Sequence, residues 1–345
     1  MARITLNFHH YRHNLELLAS KCGDMKKLMV VLKNNAYGHG ISQMAPLAAA
    51  VGVRYAAVKD CAEGLKIEGL FERVLVLSDL PNSSACGALA FAIHSMESLE
   101  AVPSGTVVHL NIDTGMHRNG IFPSELTRAF EVIVRHNLVL EGVFTHFHSA
   151  DVLGSDYFVQ RARFDALKDN VRTLATRLGL PLPLFHACNS AGLLRHNGAF
   201  DDDVARVGIS SYGYTDMPKL LGAFDLKPVL ALWAKRMSTR TLHKGQKVGY
   251  AGMFEVPHTM VTSTYDVGYG DGLFRFDGTK EVLLQEGQPL LGRVSMDSFS
   301  SEGEADEVCV FSDALSMAQA ANTITYEVLT RLSPWLSRVV IGRDE

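Results

Sequence analysis

The chain has 345 residues, which sets a prior of about two domains and leaves ample length for a sizeable core. Thirty-three Lys and Arg against 37 Asp and Glu give a formal charge of −4, too weak a positive field to gather a nucleic-acid backbone or an anionic membrane surface. Hydrophobic residues at 47% and charged residues at 20% exclude a disordered chain and a coiled-coil rod. Five cysteines (Cys22, Cys61, Cys86, Cys188 and Cys309) form no Cys-x-x-Cys, so a reducing compartment is expected. The first ten residues do not read as a secretory leader, and no run approaches the roughly 20 apolar residues of a membrane span. A cytoplasmic location is therefore expected, without nucleic-acid or membrane partners.

Short apolar runs recur at 28–32, 55–58, 74–77, 88–92, 107–112, 143–146, 184–187 and 204–207, separated by longer amphipathic stretches. That alternation is the pattern of a parallel sheet covered by helices, and eight such units predict an α/β chain built on a TIM (β/α)8 barrel. Segments 124–136 and 156–178 carry apolar residues at helical spacing and predict two of the covering helices. The texture changes near 222–228. Runs at 229–233, 246–250, 260–265, 281–284, 290–294 and 308–311, broken by Gly and Pro, predict a mainly β C-terminal domain. The expected division is a barrel over residues 1–222 and a β-rich domain over 223–345, with the N-terminal strand a candidate to join the second.

The stretch Val30-Val31-Leu32-Lys33-Asn34-Asn35-Ala36-Tyr37-Gly38-His39-Gly40 places a lysine at the end of the first barrel strand, where catalytic groups of this fold collect. A lysine there suits a carbonyl cofactor such as pyridoxal 5'-phosphate, whose chemistry needs an amine that can lose its proton, capture the carbonyl and later act as a base. By itself Lys33 also reads as an ordinary surface residue. Further on stand Asp113-Thr114-Gly115-Met116-His117-Arg118, Thr145-His146-Phe147-His148, Cys188-Asn189-Ser190-Ala191-Gly192 and Arg206-Val207-Gly208-Ile209. The β-rich part adds Val248-Gly249-Tyr250-Ala251-Gly252, Gly268-Tyr269-Gly270-Asp271-Gly272, Gly292-Arg293-Val294-Ser295-Met296-Asp297 and Thr325-Tyr326-Glu327.

These segments, in this order and over almost the whole chain, resemble the alanine racemase family, whose cofactor segment reads Val-x-Lys-Ala-Asn-Ala-Tyr-Gly-His-Gly. The resemblance implies a pyridoxal-phosphate enzyme that interconverts L- and D-alanine for peptidoglycan precursors, with another small amino acid such as serine as the alternative substrate. It assigns Lys33 as the lysine that binds the cofactor covalently and as one base, and Tyr250, presented by the partner subunit of a homodimer, as the opposing base. Two bases are needed because inversion adds and removes a proton on opposite faces of one carbon. Arg118 would hold the cofactor's phenolic oxygen and the substrate carboxylate, while His146 would lie at the cofactor ring. Arg206 would meet the pyridine nitrogen as a cation and weaken the electron sink. Tyr37, Ser190, Gly208, Ile209 and Tyr326 would surround the phosphate, with Tyr269 guarding substrate entry and the Met296 amide meeting the substrate carboxylate. No metal is implied.

Where the family often has a carbamylated lysine orienting this arginine, the chain has Asn111, so a small anion such as chloride beside Asn111 and Arg118 is the expected substitute. Asn119, Gly249 and the ending Ile341-Gly342-Arg343-Asp344-Glu345 also depart from the usual pattern. Three other readings stay open at this level. A decarboxylase of the same architecture would not need Tyr250, and a cofactor carrier would not need the β domain. A metal hydrolase would use His146 and His148 as ligands, provided that the strand continues through both.

Overall fold

The computed structural model describes residues 1–81 and 88–343; Cys86 and the terminal Asp344-Glu345 lie outside the described residues. The chain divides into two compact units, one comprising Arg12–Ala36 and Met44–Leu226, the other Met1–Tyr11, Tyr37–Gln43 and Lys227–Glu345.

The first unit is the barrel. After β1 (Arg3–Asn7), which belongs to the other unit, come β2 (Leu28–Val31), β3 (Tyr55–Val58), β4 (Arg73–Val76), β5 (Ala90–Ile93), β6 (Val107–Asn111), β7 (Val139–Phe144), β8 (Leu184–His186) and β9 (Ala205–Val207). They pair in parallel and in sequence order, and β9 returns to pair with β2. Backbone bonds from Asp203 to Phe185 (2.9 Å) and from Arg206 to Cys188 (2.9 Å) draw the remaining two strands together, so the sheet is nearly closed on itself. Strands such as Leu-Met-Val-Val and Ala-Phe-Ala-Ile are buried at every position, as required where helices cover one face and barrel side chains fill the other. Side-chain caps start the intervening helices: Asp60 accepts from the Glu63 amide, and Ser95 accepts from that of Ser98. The helices Leu126–Arg135 and Asp156–Leu178 match the helical spacing, and Gly179, left-handed at φ 67°, ends the second.

The expected strand at 143–146 begins earlier and ends earlier, at Val139–Phe144. Glu141 and Gly142 interrupt its apolar pattern, which hid the first half.

The second unit is a seven-stranded sheet in which β1 pairs antiparallel with the long β10 (Leu230–Leu242) and parallel with β17 (Ser337–Ile341). The far half of β10 pairs with β13 (Met260–Tyr265), which pairs with β15 (Phe299–Glu302) and through it with β14 (Leu290–Leu291), while β16 (Glu307–Phe311) lies against the near half of β10. A two-stranded ribbon, β11 (Lys247–Val248) with β12 (Phe254–Glu255), carries the turn containing Tyr250. The run expected at 281–284 forms only an isolated bridge from Leu283 to Pro289.

Candidate active site

Lys33 follows directly on β2. The Tyr212 hydroxyl donates to the Val31 carbonyl (3.1 Å) just before it, and the Asn35 amide donates to Glu63 Oε1 (2.7 Å) just after it. From Asn34 the chain makes a left-handed turn, with φ between 52° and 54° at Asn34, Asn35, Ala36 and Tyr37. Burial pushes the Lys33 pKa down and the charge of Arg118 pushes it further, while Glu63 opposes both. The site therefore enriches the neutral amine that nucleophilic and base chemistry require.

Arg118 stands within the loop after β6. That loop is folded around the Asp113 carboxylate, which accepts from the Gly115 amide (2.9 Å), the His117 amide (3.1 Å) and His117 Nδ1 (3.0 Å). Asn111, at the end of β6, donates its amide to His94 Nδ1 (3.0 Å), while His94 Nε2 meets the Leu77 carbonyl (2.6 Å). One Asn111 amide hydrogen is thus committed to an imidazole.

His146 follows β7, with its pKa pushed down to about 3 by burial and by the charges of Arg206, Arg118 and Lys33. Burial first, and then the positive charge around it, keep this imidazole neutral. The strand ends at Phe144, so the premise that a continuous strand puts His146 and His148 on one face fails; Gln160 instead pins both backbones, donating to the His146 carbonyl (3.2 Å) and accepting from the His148 amide (2.9 Å). Asp165, Asp201 and Asp202 also lie close enough together to suggest metal ligands, but Arg161 and Lys168 already pair with all three.

Arg206 is buried in β9. Its Nη1 donates to His186 Nδ1 (2.8 Å) and the His186 carbonyl (2.5 Å), and its Nη2 donates to the Thr145 carbonyl (2.7 Å). The guanidinium lies 4.9 Å from the centre of the Phe144 ring. Burial lowers its pKa to about 10, so it remains a cation at neutral pH. Immediately after it, the amides of Gly208 (2.9 Å) and Ser210 (3.4 Å) converge on Ser190 Oγ, next to Ile209. Asn189 caps the helix Ser190–Arg195 by accepting from the Gly192 amide (2.8 Å). Ser190 is thereby released for those amides, and its own proton is left to donate.

In the other unit, Tyr37 and Tyr326 rings stand 5.9 Å apart. Gly38 and Gly40 are required there by close approach: a Cβ on Gly38 would lie 1.9 Å from the Leu329 carbonyl oxygen, and one on Gly40 would lie 2.5 Å from Arg338 Cδ. Arg338 donates to the Gly38 carbonyl from Nε (3.1 Å) and Nη2 (2.8 Å). Tyr250 is 63% exposed on its ribbon, flanked by the left-handed Gly249 and Ala251. The Tyr269 amide donates to the Ser295 carbonyl (3.1 Å) and the Gly270 amide to that of Met296 (2.8 Å), which ties two of the recognised motifs together. Gly268 makes the approach possible, since a Cβ there would meet the Met296 oxygen at 2.1 Å.

Residues 6–216 match the family profile described as alanine racemase, N-terminal domain, and residues 229–340 match alanine racemase, C-terminal domain. The chain belongs to the alanine racemase family. It is 45% identical over 341 residues to the alanine racemase of a Nitratiruptor species, covering 99% of this chain and 100% of that protein. It is 44% identical over 338 residues to the alanine racemase of Campylobacter curvus, covering 98% and 99%. Among solved structures, the alanine racemase of Clostridium difficile 630 superposes with a TM-score of 0.87 at 26% identity, over 100% of this chain and 96% of that one. The Bacillus anthracis alanine racemase with bound L-Ala-P superposes with a TM-score of 0.87 at 25% identity, over the same shares.

Within this alanine racemase family chain, three polar residues around the site went unassigned in the sequence reading. Glu63 follows Asp60 with the spacing of a capping box, but its carboxylate reaches out to the Asn35 amide and to the Lys59 amide (3.0 Å). His94 sits on an unremarkable strand end. His186 stands two residues before the Cys188–Gly192 segment, and nothing in its spacing announced the contact with Arg206.

Proposed function

We propose that the protein is a pyridoxal-phosphate-dependent alanine racemase, a cytoplasmic homodimer that supplies D-alanine for peptidoglycan. The observation that carries this reading is the convergence of Lys33, Arg118 and Arg206 on a neutral His146 at one end of the barrel.

The residues present fit the cofactor. The Gly208 and Ser210 amides gathered at the Ser190 hydroxyl make a donor cluster suited to a phosphate, with Ile209, Tyr37 and Tyr326 assigned to the same group by resemblance. Lys33 offers an amine with a depressed pKa, and Arg206 offers a permanent cation whose neighbours are neutral acceptors. When bound, the cofactor supplies a carbonyl for amine capture and an electron sink that acidifies the substrate α-proton.

Every other task falls to the chain. Arg118 presents a planar fork to the substrate carboxylate, a geometry that a lysine would not reproduce. Lys33 Nζ takes or returns the proton on one face of the α-carbon. Tyr250 Oη of the partner subunit serves the other face, and its exposure on the ribbon suits a residue donated to a second chain. Tyr269 narrows the entry to a small side chain, and the Met296 amide meets the carboxylate. His146, kept neutral, accepts a hydrogen bond without adding to the positive charge around it.

The test is the visible spectrum of the purified protein, read before and after borohydride, together with a chiral assay on L-alanine. The expected result is an absorption band that reduction abolishes along with D-alanine formation, and loss of both in Lys33→Ala. A colourless protein that makes no D-alanine after pyridoxal phosphate is added would overturn the reading.

A further inference from the structure

A line of buried polar groups runs from Arg206 through the barrel interior, where apolar side chains are the rule. Arg206 Nη1 donates to His186 Nδ1 (2.8 Å), His186 Nε2 lies 2.8 Å from His109 Nδ1, and His109 Nε2 lies 3.3 Å from Glu141 Oε1. Arg73, the first residue of β4, closes the line by donating to both Glu141 oxygens from Nε (2.9 Å each). His186 and His109 are fully buried.

The direction of this chain is fixed by its first member. A guanidinium has donors only, so His186 Nδ1 must be bare and its proton must sit on Nε2. His186 then donates to His109 Nδ1, which leaves the His109 proton on Nε2 to donate to the carboxylate. Both imidazoles are neutral, because burial and the nearby arginines push their pKa values down, for His109 against the opposing pull of Glu141. Glu141 ends the chain as an anion: its bonds from His109 and Arg73 outweigh burial and bring its pKa to about 2.

The backbone is built to make room for this line. In the pairing of β6 with β7, Val108 faces Leu140 and His109 faces Gly142, so Glu141 is the extra residue of a bulge, a device that re-aims a side chain. The next residue is a glycine in a strand interior, which weakens a strand unless something needs the space. Here the His109 ring needs it: a Cβ on Gly142 would lie 2.2 Å from His109 Nδ1 and 2.6 Å from Cε1.

We propose that His186, His109 and Glu141 are positioning residues for Arg206, forming a one-way hydrogen-bond chain that sets its orientation and ends on a carboxylate, itself paired with Arg73, three hydrogen bonds away from the site. This rests on the proposed role of Arg206 at the cofactor. The remote placement has a physical reason. A carboxylate in direct contact would occupy the guanidinium donors and repel the phosphate and the substrate carboxylate, which the same cluster of cations has to attract.

The test uses the full-length protein without cofactor, with histidine rings labelled in 15N, at neutral pH. The expected spectrum has His109 and His186 both bare at Nδ1 and protonated at Nε2, and Glu141→Gln moves the His186 resonances although the two residues do not touch. In the loaded enzyme, Glu141→Gln and His109→Phe should lower kcat on the order of tenfold with KM for alanine nearly unchanged. An imidazolium, or a proton on Nδ1 of either ring, would overturn the proposal. So would a folded Glu141→Gln protein in which both the His186 resonances and kcat stay put. Should His109→Phe fail to fold, Glu141→Gln, at the more exposed end of the line, decides alone. The tautomers are read without cofactor, so an enzyme that racemises nothing defeats the proposed function separately from this inference.

Discussion

At Lys33 the chain fixes an amine at the cost of backbone strain. The left-handed conformation costs roughly 1–2 kcal/mol at an ordinary residue and less at asparagine, and here four residues in succession adopt it. Asn34 and Asn35 ease the turn, while the Glu63 carboxylate holds it through the Asn35 amide. Asn35→Val should therefore lower the unfolding free energy by about 1–2 kcal/mol, measured by urea denaturation, whereas Asn35→Gly should be tolerated. Glu63→Gln isolates the electrostatic part. Glu63 raises the Lys33 pKa against burial and Arg118, so removing its charge lowers that pKa further and frees the amine at lower pH. The rate at which cofactor-free protein captures pyridoxal phosphate should then rise at a lower pH than in the parent, and an unmoved profile would contradict the assignment. Lysine and glycines were legible as a cofactor segment, but Asn-Asn-Ala-Tyr carries no signal for the hand of the turn.

Among the elements, the wholly or almost wholly buried strands were the easiest to read, because Leu-Met-Val-Val and Tyr-Ala-Ala-Val leave little choice of environment. Strands that carry polar residues inward were not. β7 was read in half because its Glu-Gly bulge serves the buried His109, and β15 escaped because Phe-Ser-Ser-Glu turns Ser301 into the core, where it donates to the Pro289 carbonyl (2.8 Å). Gly142→Ala should destabilise the barrel by about 1–3 kcal/mol, read as a lower denaturation midpoint, since the His109 ring has to move. Glu141 also sets an acid limit. Its folded pKa lies near 2, below the ordinary carboxylate value, so its contribution is present above that ordinary value and is lost as pH falls from about 4.5 toward 2. A Glu141→Gln protein should show a shallower loss of stability across that window.

For the whole molecule, the shift from barrel texture to a β-rich second part was legible in composition and the N-terminal strand was a candidate to join that part, whereas the pairing of β1 with β17, from opposite ends of the chain, was not legible. Sequence periodicity is local, and such a pairing joins residues more than 300 positions apart only once the fold exists. A homodimer with sites shared between chains predicts complementation. Mixing Lys33→Ala with Tyr250→Phe protein should restore about a quarter of the parent activity, since half of randomly paired dimers are mixed and each holds one intact site of two. No recovery after subunit exchange would place Lys33 and Tyr250 in the same chain's site. The most direct measurement of the two-base account is exchange of the α-proton into deuterium oxide, followed separately from L- and D-alanine, in Tyr250→Phe protein that retains its cofactor band. The account predicts exchange slowed mainly from one enantiomer; equal and mild slowing from both would contradict it.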